Sequence, residues 1–442
     1  MVRALVVASP RRFTVVRLDE RVRDTFWIIP TTFLIASGAL AYGVKALDRS
    51  LAVESGSSLW WVGSSDDASL MLQVIATSTL TFLGVVFSIT LVALQLASQQ
   101  FSPRVTRTFA RSTTTKVTLG IFIATFVFAL VTLAAQEGGG GDGSPTPVAA
   151  VSIAMVLVAA SVIAFIVFAS STIRLIRIPH IIGAVADETR GAIEENYPPE
   201  DRYVAIESRP PGDPRGIIRI DAAPHLLARS RRGVILGFDV SRLVTLAAGR
   251  DCHLTVLPHP GEYLSAGSPV VEVRGGQSPP AWEVLRAISV GRERTLYQDP
   301  AYGIRQLADI AAQALSGAVN APTTAVQVID RLGDLLLRIA ERPDPTGLYV
   351  DRAHRPRVQV PVTLWPRFVP LAFTEIRTFG ARSPQVTRRL MATLDDLLAT
   401  VPPPRRPELE HERALLVAAV EALFPDAPAR ERALTPDRLG LG

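Results

Sequence analysis

Four apolar stretches set the terms for this chain. They run from about Trp27 to Leu47, Leu70 to Ala97, Val117 to Ala135 and Val148 to Thr172, each near the roughly 20 residues that a helix needs to cross a ~30 Å hydrocarbon core. A backbone in that medium must satisfy its amides within the segment, so the stretches predict four transmembrane helices forming a domain over residues 27–173. The mean hydropathy of +0.27 agrees with burial in lipid. Arg17, Asp19, Glu20, Arg21, Arg23 and Asp24 precede the first stretch, and no small-residue cleavage site follows a short apolar core. It is therefore expected to persist as a membrane helix rather than to act as a signal peptide.

Basic residues give the expected orientation. Arg3, Arg11, Arg12, Arg17, Arg21 and Arg23 lie before the first stretch; Arg104, Arg107, Arg111 and Lys116 fall between the second and third; Arg174 and Arg177 follow the fourth. The alternate connections hold Arg49 among Asp48, Glu54, Asp66 and Asp67, and only Glu137 and Asp142 in a Gly-rich loop. Excess positive charge marks cytoplasmic connections, so both termini are expected in the cytoplasm.

Composition removes several kinds of chemistry. Lys45 and Lys116 are the only lysines, so nothing beyond residue 116 can supply a Walker-type phosphate lysine, a Schiff base or a carrier attachment. The single Cys252 excludes an intrachain disulfide and a Cys-rich zinc or iron–sulfur centre. His253, His259, Asp251 and Glu262 cluster without the spacing of a known zinc pattern, and turn polarity explains them. No cofactor or metal is expected, and no placed nucleophile or phosphate loop argues for an enzyme.

The part after the fourth stretch predicts an α+β cytoplasmic region. Residues 174–215 read as a helix running on from the membrane, kinked at Pro179, and then a Pro- and Gly-rich linker from Tyr197 to Gly216. A small β domain is expected over 216–278, with strands near Gly216–Asp221, Gly233–Phe238, Cys252–Leu257 and Pro269–Val273 and a short helix capped by Asp239. Its stretch His259-Pro-Gly-Glu-Tyr-Leu-Ser-Ala-Gly-Ser-Pro-Val-Val is similar to the hairpin of barrel-sandwich carrier domains, without their lysine. A helical domain follows over 279–425, with helices at Pro280–Val290, Asp299–Ser316, Pro322–Glu341, Pro366–Phe379, Ser383–Ala399 and Pro407–Leu423. Residues 1–26 are read as a cytoplasmic N-terminal segment and 426–442 as a polar tail.

Two stretches carry a family pattern. Val85-Val-Phe-Ser-Ile-Thr-Leu-Val-Ala-Leu-Gln-Leu-Ala-Ser-Gln-Gln-Phe-Ser-Pro-Arg-Val and Gln298-Asp-Pro-Ala-Tyr-Gly-Ile-Arg-Gln-Leu-Ala-Asp-Ile-Ala-Ala-Gln-Ala-Leu-Ser resemble the bacterial predicted membrane proteins catalogued as domain of unknown function 2254. The resemblance runs from about Trp27 to Leu423. It implies a four-helix membrane region in a bacterial plasma membrane and a cytoplasmic domain, and brings no activity with it. Where the family pattern places an acidic residue before a Pro, this chain has Ala321, which removes any metal or catalytic role for that acid and leaves the next helix without its cap.

Two residue sets stand as candidate sites. At about 100° per residue, Gln73, Thr77, Thr81, Gly84, Ser88, Leu91, Gln95, Ser98 and Gln99 share one face of the second span. Small and hydroxyl residues suit close helix packing, whereas three glutamines suit a water-filled path. A second stripe, Thr79, Val86, Thr90, Ala93 and Ala97, lies opposite and suits packing. The other set is a charge cluster of Arg292, Arg294, Asp299, Arg305, Asp309 and Asp330, which binds an anionic ligand, sets a protonation-sensitive switch, or serves as helix caps and interhelical ion pairs. Four spans are too few to enclose a pore alone. The leading expectation is thus a homo-oligomeric channel-like protein in contact with lipid and ions, with a cytoplasmic regulatory domain and no nucleic-acid partner. The alternative is a non-conducting membrane-anchored sensor or scaffold whose cytoplasmic domain binds a partner or small ligand.

Overall fold

A computed structural model describes residues 2–6, 26–51, 65–100, 112–137, 148–175, 177–206, 213–220 and 232–440. The chain forms two compact units, Val16–Arg177 and Met1–Val15 together with Ile178–Gly442.

Among the described residues, the first unit has four helices: α1 (Ile28–Leu51), α2 (Ser65–Gln100), α3 (Thr113–Glu137) and α4 (Val148–Leu175). The segments Asp66–Gln95, Thr113–Ala135 and Ala149–Arg174 are long and apolar enough to cross a membrane; the apolar part of α1, Ile28–Val44, is shorter. Helix α3 is the centre and packs on α1, α2 and α4. Leu72, Phe128, Val151 and Ala154 are completely buried at the joint of α2, α3 and α4. Gly120 lets the Phe33 ring of α1 lie against α3, since a Cβ there would stand 2.9 Å from the ring. Between α3 and α4, the Thr118 hydroxyl donates to the Ala164 carbonyl at 3.3 Å, and the Thr125 and Ser161 hydroxyls bond each other at 2.9 Å. In a medium without competing water, such bonds select one pairing of helices.

The second unit is mixed. Strands β1 (Val2–Val6), β2 (Tyr203–Ile206), β3 (Pro214–Arg219), β5 (Cys252–Val256), β7 (Pro269–Gly275), β9 (Leu348–Val350) and β10 (Pro356–Gln359) form a sheet of order β2-β1-β9-β10-β5-β7-β3. Strands β4 (Gly233–Phe238), β6 (Tyr263–Leu264) and β8 (Ile288–Gly291) form a second, of order β6-β4-β8. Ile235, Leu254, Val271, Val273 and Val358, with α6 (Val240–Gly249), join these sheets in one core. Asp239 caps α6 by accepting from the Arg242 amide at 3.0 Å. The hairpin of β5 and β7 turns through Gly261 and Gly267, whose φ angles of 84° and 75° suit glycine.

The remaining helices are α5 (Ile178–Asn196), α7 (Ala281–Arg286), α8 (Pro300–Ala314), α9 (Pro322–Ala340), α10 (Trp365–Gly380), α11 (Pro384–Thr400), α12 (Arg406–Leu423) and α13 (Ala427–Leu434). Helix α8 is their hub, packing on α5, α9 and α10. Four expectations change. Residues 174–196 form the end of α4 and a separate α5 rather than one kinked helix, and Pro179 sits at the second position of α5, where its missing N–H costs nothing. The helix expected at Pro280–Val290 stops at Arg286, because Ile288 and Val290 pair with β4 as β8. Within 426–442, Asp426 caps α13 and Ala433 is buried. The sheet also reaches beyond 216–278, drawing β1 and β2 from before that stretch and β9 and β10 from after it.

Candidate functional site

Helix α2 divides its residues sharply. Ala68, Leu72, Ile75, Thr79, Val86 and Ala93 are buried within the unit. This side includes the stripe expected to serve packing, of which Thr90 is half-buried and the Ala97 side chain lies outside the described residues. On the other side Gln73, Thr77, Thr81, Gly84, Ser88, Leu91 and Gln95 are all exposed, while the side chains of Ser98 and Gln99 lie outside the described residues. Nothing stands within 4 Å of where a Gly84 Cβ would be, and Leu91 is 50% exposed. Among the described residues, this polar face is left exposed.

Its hydrogen-bonding needs are unevenly met. Thr77 donates to the Gln73 carbonyl at 2.9 Å and Thr81 to the Thr77 carbonyl at 3.0 Å, so both hydroxyls are satisfied by their own helix. A glutamine carboxamide has no such local partner and carries two donors and an acceptor. Left against hydrocarbon, each would cost several kcal/mol on the order of an unpaired amide. Water or another protein surface relieves that cost; acyl chains do not.

The charged set resolves into separate pairs. Asp299 caps α8, accepting from the Tyr302 amide at 3.2 Å, and forms a short ion pair with Arg294. The Arg294 guanidinium lies 5.2 Å from the Tyr302 ring centre. Burial pushes the Asp299 carboxyl above its usual range, against the pull of Arg294. Arg305 bridges Asp309 at 2.7 Å and Glu375 at 2.6 Å, tying α8 to α10. Asp330 pairs with Arg389 at 2.6 Å, tying α9 to α11. Arg292 is exposed and apart from these pairs. Within the set, Arg294 meets Asp299 and Arg305 meets Asp309.

Asp299 borders a polar cavity of about 60 Å³, lined among others by Asn196, Tyr197, His259, Gln298 and Thr363. Gln298 braces it, since its carboxamide accepts from the Phe238 amide at 2.8 Å and donates to the Phe238 carbonyl at 3.0 Å. Tyr197 donates to the Thr363 carbonyl at 2.6 Å, and Asn196 donates to the Ala192 and Tyr297 carbonyls. Room of this size suits a few waters. Asn196, Tyr197 and Thr363 were not expected here, because they come from a helix end and two loops with no common motif.

The His and acid group around residue 253 is also dispersed. Glu262 accepts from the His259 amide at 3.0 Å, and Asp251 pairs with Arg357 at 2.8 Å. Burial lowers the His253 pKa. Among the described residues no three His, Cys, Asp or Glu side chains converge on one point. Ala321 precedes α9 without a side-chain cap.

Comparison with known proteins adds a family. The model of the predicted membrane proteins DUF2254 matches residues 23–396. Uncharacterized proteins of Mycobacterium bovis and Mycobacterium tuberculosis are 32% identical over 426 residues, covering 94% of this chain and 80% of each relative. No solved structure matches.

Proposed function

The chain belongs to the DUF2254 family of predicted membrane proteins, and on that premise we propose that it is a homo-oligomer of the bacterial plasma membrane in which the polar faces of α2 surround a shared, water-filled path for ions. The unit after residue 178 is its cytoplasmic regulatory body, and the reading is non-enzymatic. One observation carries it: Gln73, Ser88 and Gln95 lie on a helix long and apolar enough to cross a membrane and are exposed among the described residues. Several copies around one axis cover that face, and a path between them hydrates the glutamines.

This reading takes four crossings. Strand β1 pairs with β2 and β9 in one sheet, and a single sheet lies on one side of a bilayer. Residues 6 and 203 are then joined by an even number of crossings. Helices α2, α3 and α4 supply three. Helix α1, whose 24 residues extend about 36 Å, supplies the fourth despite its shorter apolar part. The distribution of Arg and Lys puts the sheet in the cytoplasm.

A second reading has its own support. Thr77 and Thr81 bond back to their helix, as hydroxyls do in dry helix packing, so the same face also suits a closed interface in a non-conducting sensor or scaffold. Leu91 separates the two. As an apolar ring in a pore it holds water out, and Leu91→Ser raises ion flux in liposomes. In a dry interface the same change lowers oligomer stability by roughly 2–5 kcal/mol and adds no flux. Wild-type protein silent at all voltages, tensions and pH values, with a destabilised and silent variant, refutes the pore.

A further inference from the structure

The membrane unit carries a groove that the described side chains leave open. It runs between the start of α3 and the second half of α4, has a volume of about 500 Å³, and is walled by Val117, Ile121, Ala160, Ile163 and Val167, with Thr114 near one end. Ile163 and Val167 are 63% and 47% exposed along it. The small Ala160 and Ala164 create the depression, and the Thr118 hydroxyl at its floor is engaged by the Ala164 carbonyl. The trough offers dispersion contacts and almost no hydrogen bonds.

One end is different. Thr118 meets Ala164 and Thr125 meets Ser161, so α3 and α4 are antiparallel and Arg174 falls just beyond the first turn of α3. Arg174 and Arg177 are exposed there. From Ala68 to Ala186 the sequence has no acid except Glu137 and Asp142, which lie past the far end of α3. Thr113 and Thr114 add hydroxyls at the same level.

We propose that this groove binds an anionic phospholipid, one acyl chain lying along Val117, Ile121, Ala160 and Ile163 and the phosphate meeting Arg174 and the threonine hydroxyls. An apolar trough closed at one end by a cation matches the two parts of that molecule, and a basic side chain at headgroup level favours an anionic over a zwitterionic lipid. The site stands apart from α2, so a silent pore would leave it intact.

The full chain, reconstituted in vesicles of equal phosphatidylglycerol and phosphatidylcholine, extracted in mild detergent and weighed by native mass spectrometry, gives the test. Wild-type protein retains phosphatidylglycerol about fivefold over phosphatidylcholine. Arg174→Gln brings the ratio to about parity with total retention largely kept. Ala160→Phe fills the trough and lowers retention of both lipids, and Val167→Phe does the same from the exposed wall should the first variant not fold. Equal retention of the two lipids by wild-type protein overturns the proposal, as does an unchanged preference in Arg174→Gln. A groove-filling variant that breaks up the oligomer while keeping its lipids assigns the groove to a second copy of the chain and equally overturns it.

Discussion

Gly303 offers a sharp test of how α8 is seated. It lies in the stretch Gln298-Asp-Pro-Ala-Tyr-Gly-Ile-Arg, one turn past the Asp299 cap, where α8 crosses α5. A Cβ at this position would run into the Thr189 hydroxyl and would stand 2.8 Å from the Thr189 Cβ and 2.7 Å from the Leu296 Cδ2. Thr189 is fully buried and its hydroxyl already donates to the Val185 carbonyl at 2.6 Å, so it has little freedom to turn away. An exposed helical glycine changed to Ala gains about 1 kcal/mol. Overpacking a close-fitted interface costs about 1–3 kcal/mol, and the contact with Thr189 places this site at the upper end. Gly303→Ala should therefore lose about 2 kcal/mol net, or roughly 4–8 °C in Tm. Thermal unfolding followed by circular dichroism on the full chain measures it. Adding Thr189→Ala removes the nearest atom and should recover at least ~1 kcal/mol as a coupling energy between the sites. A variant more stable than wild type, or two changes that simply add, would refute the close crossing.

Three further outcomes follow from the geometry. Thr125→Val removes the hydroxyl bond to Ser161 and strands its partner, and should destabilise the membrane unit by roughly 0.6–2 kcal/mol, lowering its melting midpoint without moving that of the other unit, as resolved by calorimetry in detergent. Burial pushes the Asp351 carboxyl up, but Arg357 at 2.8 Å and the Arg355 and Ala353 amides outweigh it and hold it below the usual carboxylate range. Its stabilising share is thus present above about pH 4 and lost as pH falls through the lowered value, so denaturant midpoints should drop on acidification and Asp351→Asn should flatten that drop; an unchanged slope counts against the pairing. Cys252 is buried at 2% exposure and makes a poor thiol reporter. Leu439→Cys in a Cys252→Ser chain, at an 81% exposed position, should label with an impermeant maleimide in inside-out vesicles and not in intact cells, and the reverse pattern would overturn the cytoplasmic assignment.

What could be read from the chain was what local forces decide. A hydrophobic run reports its helix without reference to any partner, so α2, α3 and α4 emerged within a few residues of their bounds. The Asp299-Pro300 start of α8 is likewise written in adjacent residues, a carboxylate for the free amides and a ring that needs none. Strands β1, β9 and β10 were missed because three to five residues carry little pattern and their pairing is remote: Leu5 meets Tyr349 and Val358 meets Leu254. The polar cavity drew on the same kind of distant meeting. On α2 the hundred-degree spacing picked out the polar face, and the structure adds that this face is exposed among the described residues. What covers it is not written in one copy, since that depends on other molecules.

The remote pairing of β1 carries a consequence of its own. It sits between β2 and β9, with Ala4 fully buried and Leu5 9% exposed against Ile206 and Val350. The chain then leaves for the membrane at α1 and returns at α5, so β1 finds its partners only after the spans and both later strands exist. Deleting residues 2–6 removes the link between β2 and the rest of the sheet. Leu5 is lost, Ile206 and Val350 lose their covering, and the β2 ladder has nowhere to pair. A loss on the order of 3–5 kcal/mol is expected, comparable to a large core truncation. It should fall on the second unit, to which β1 belongs. Limited proteolysis of reconstituted protein reads both halves at once. Faster cleavage after Arg202 with the membrane helices still protected supports β1 as part of the sheet. Cleavage at the wild-type rate would mean that β1 contributes nothing to it, and the even number of crossings would lose its support.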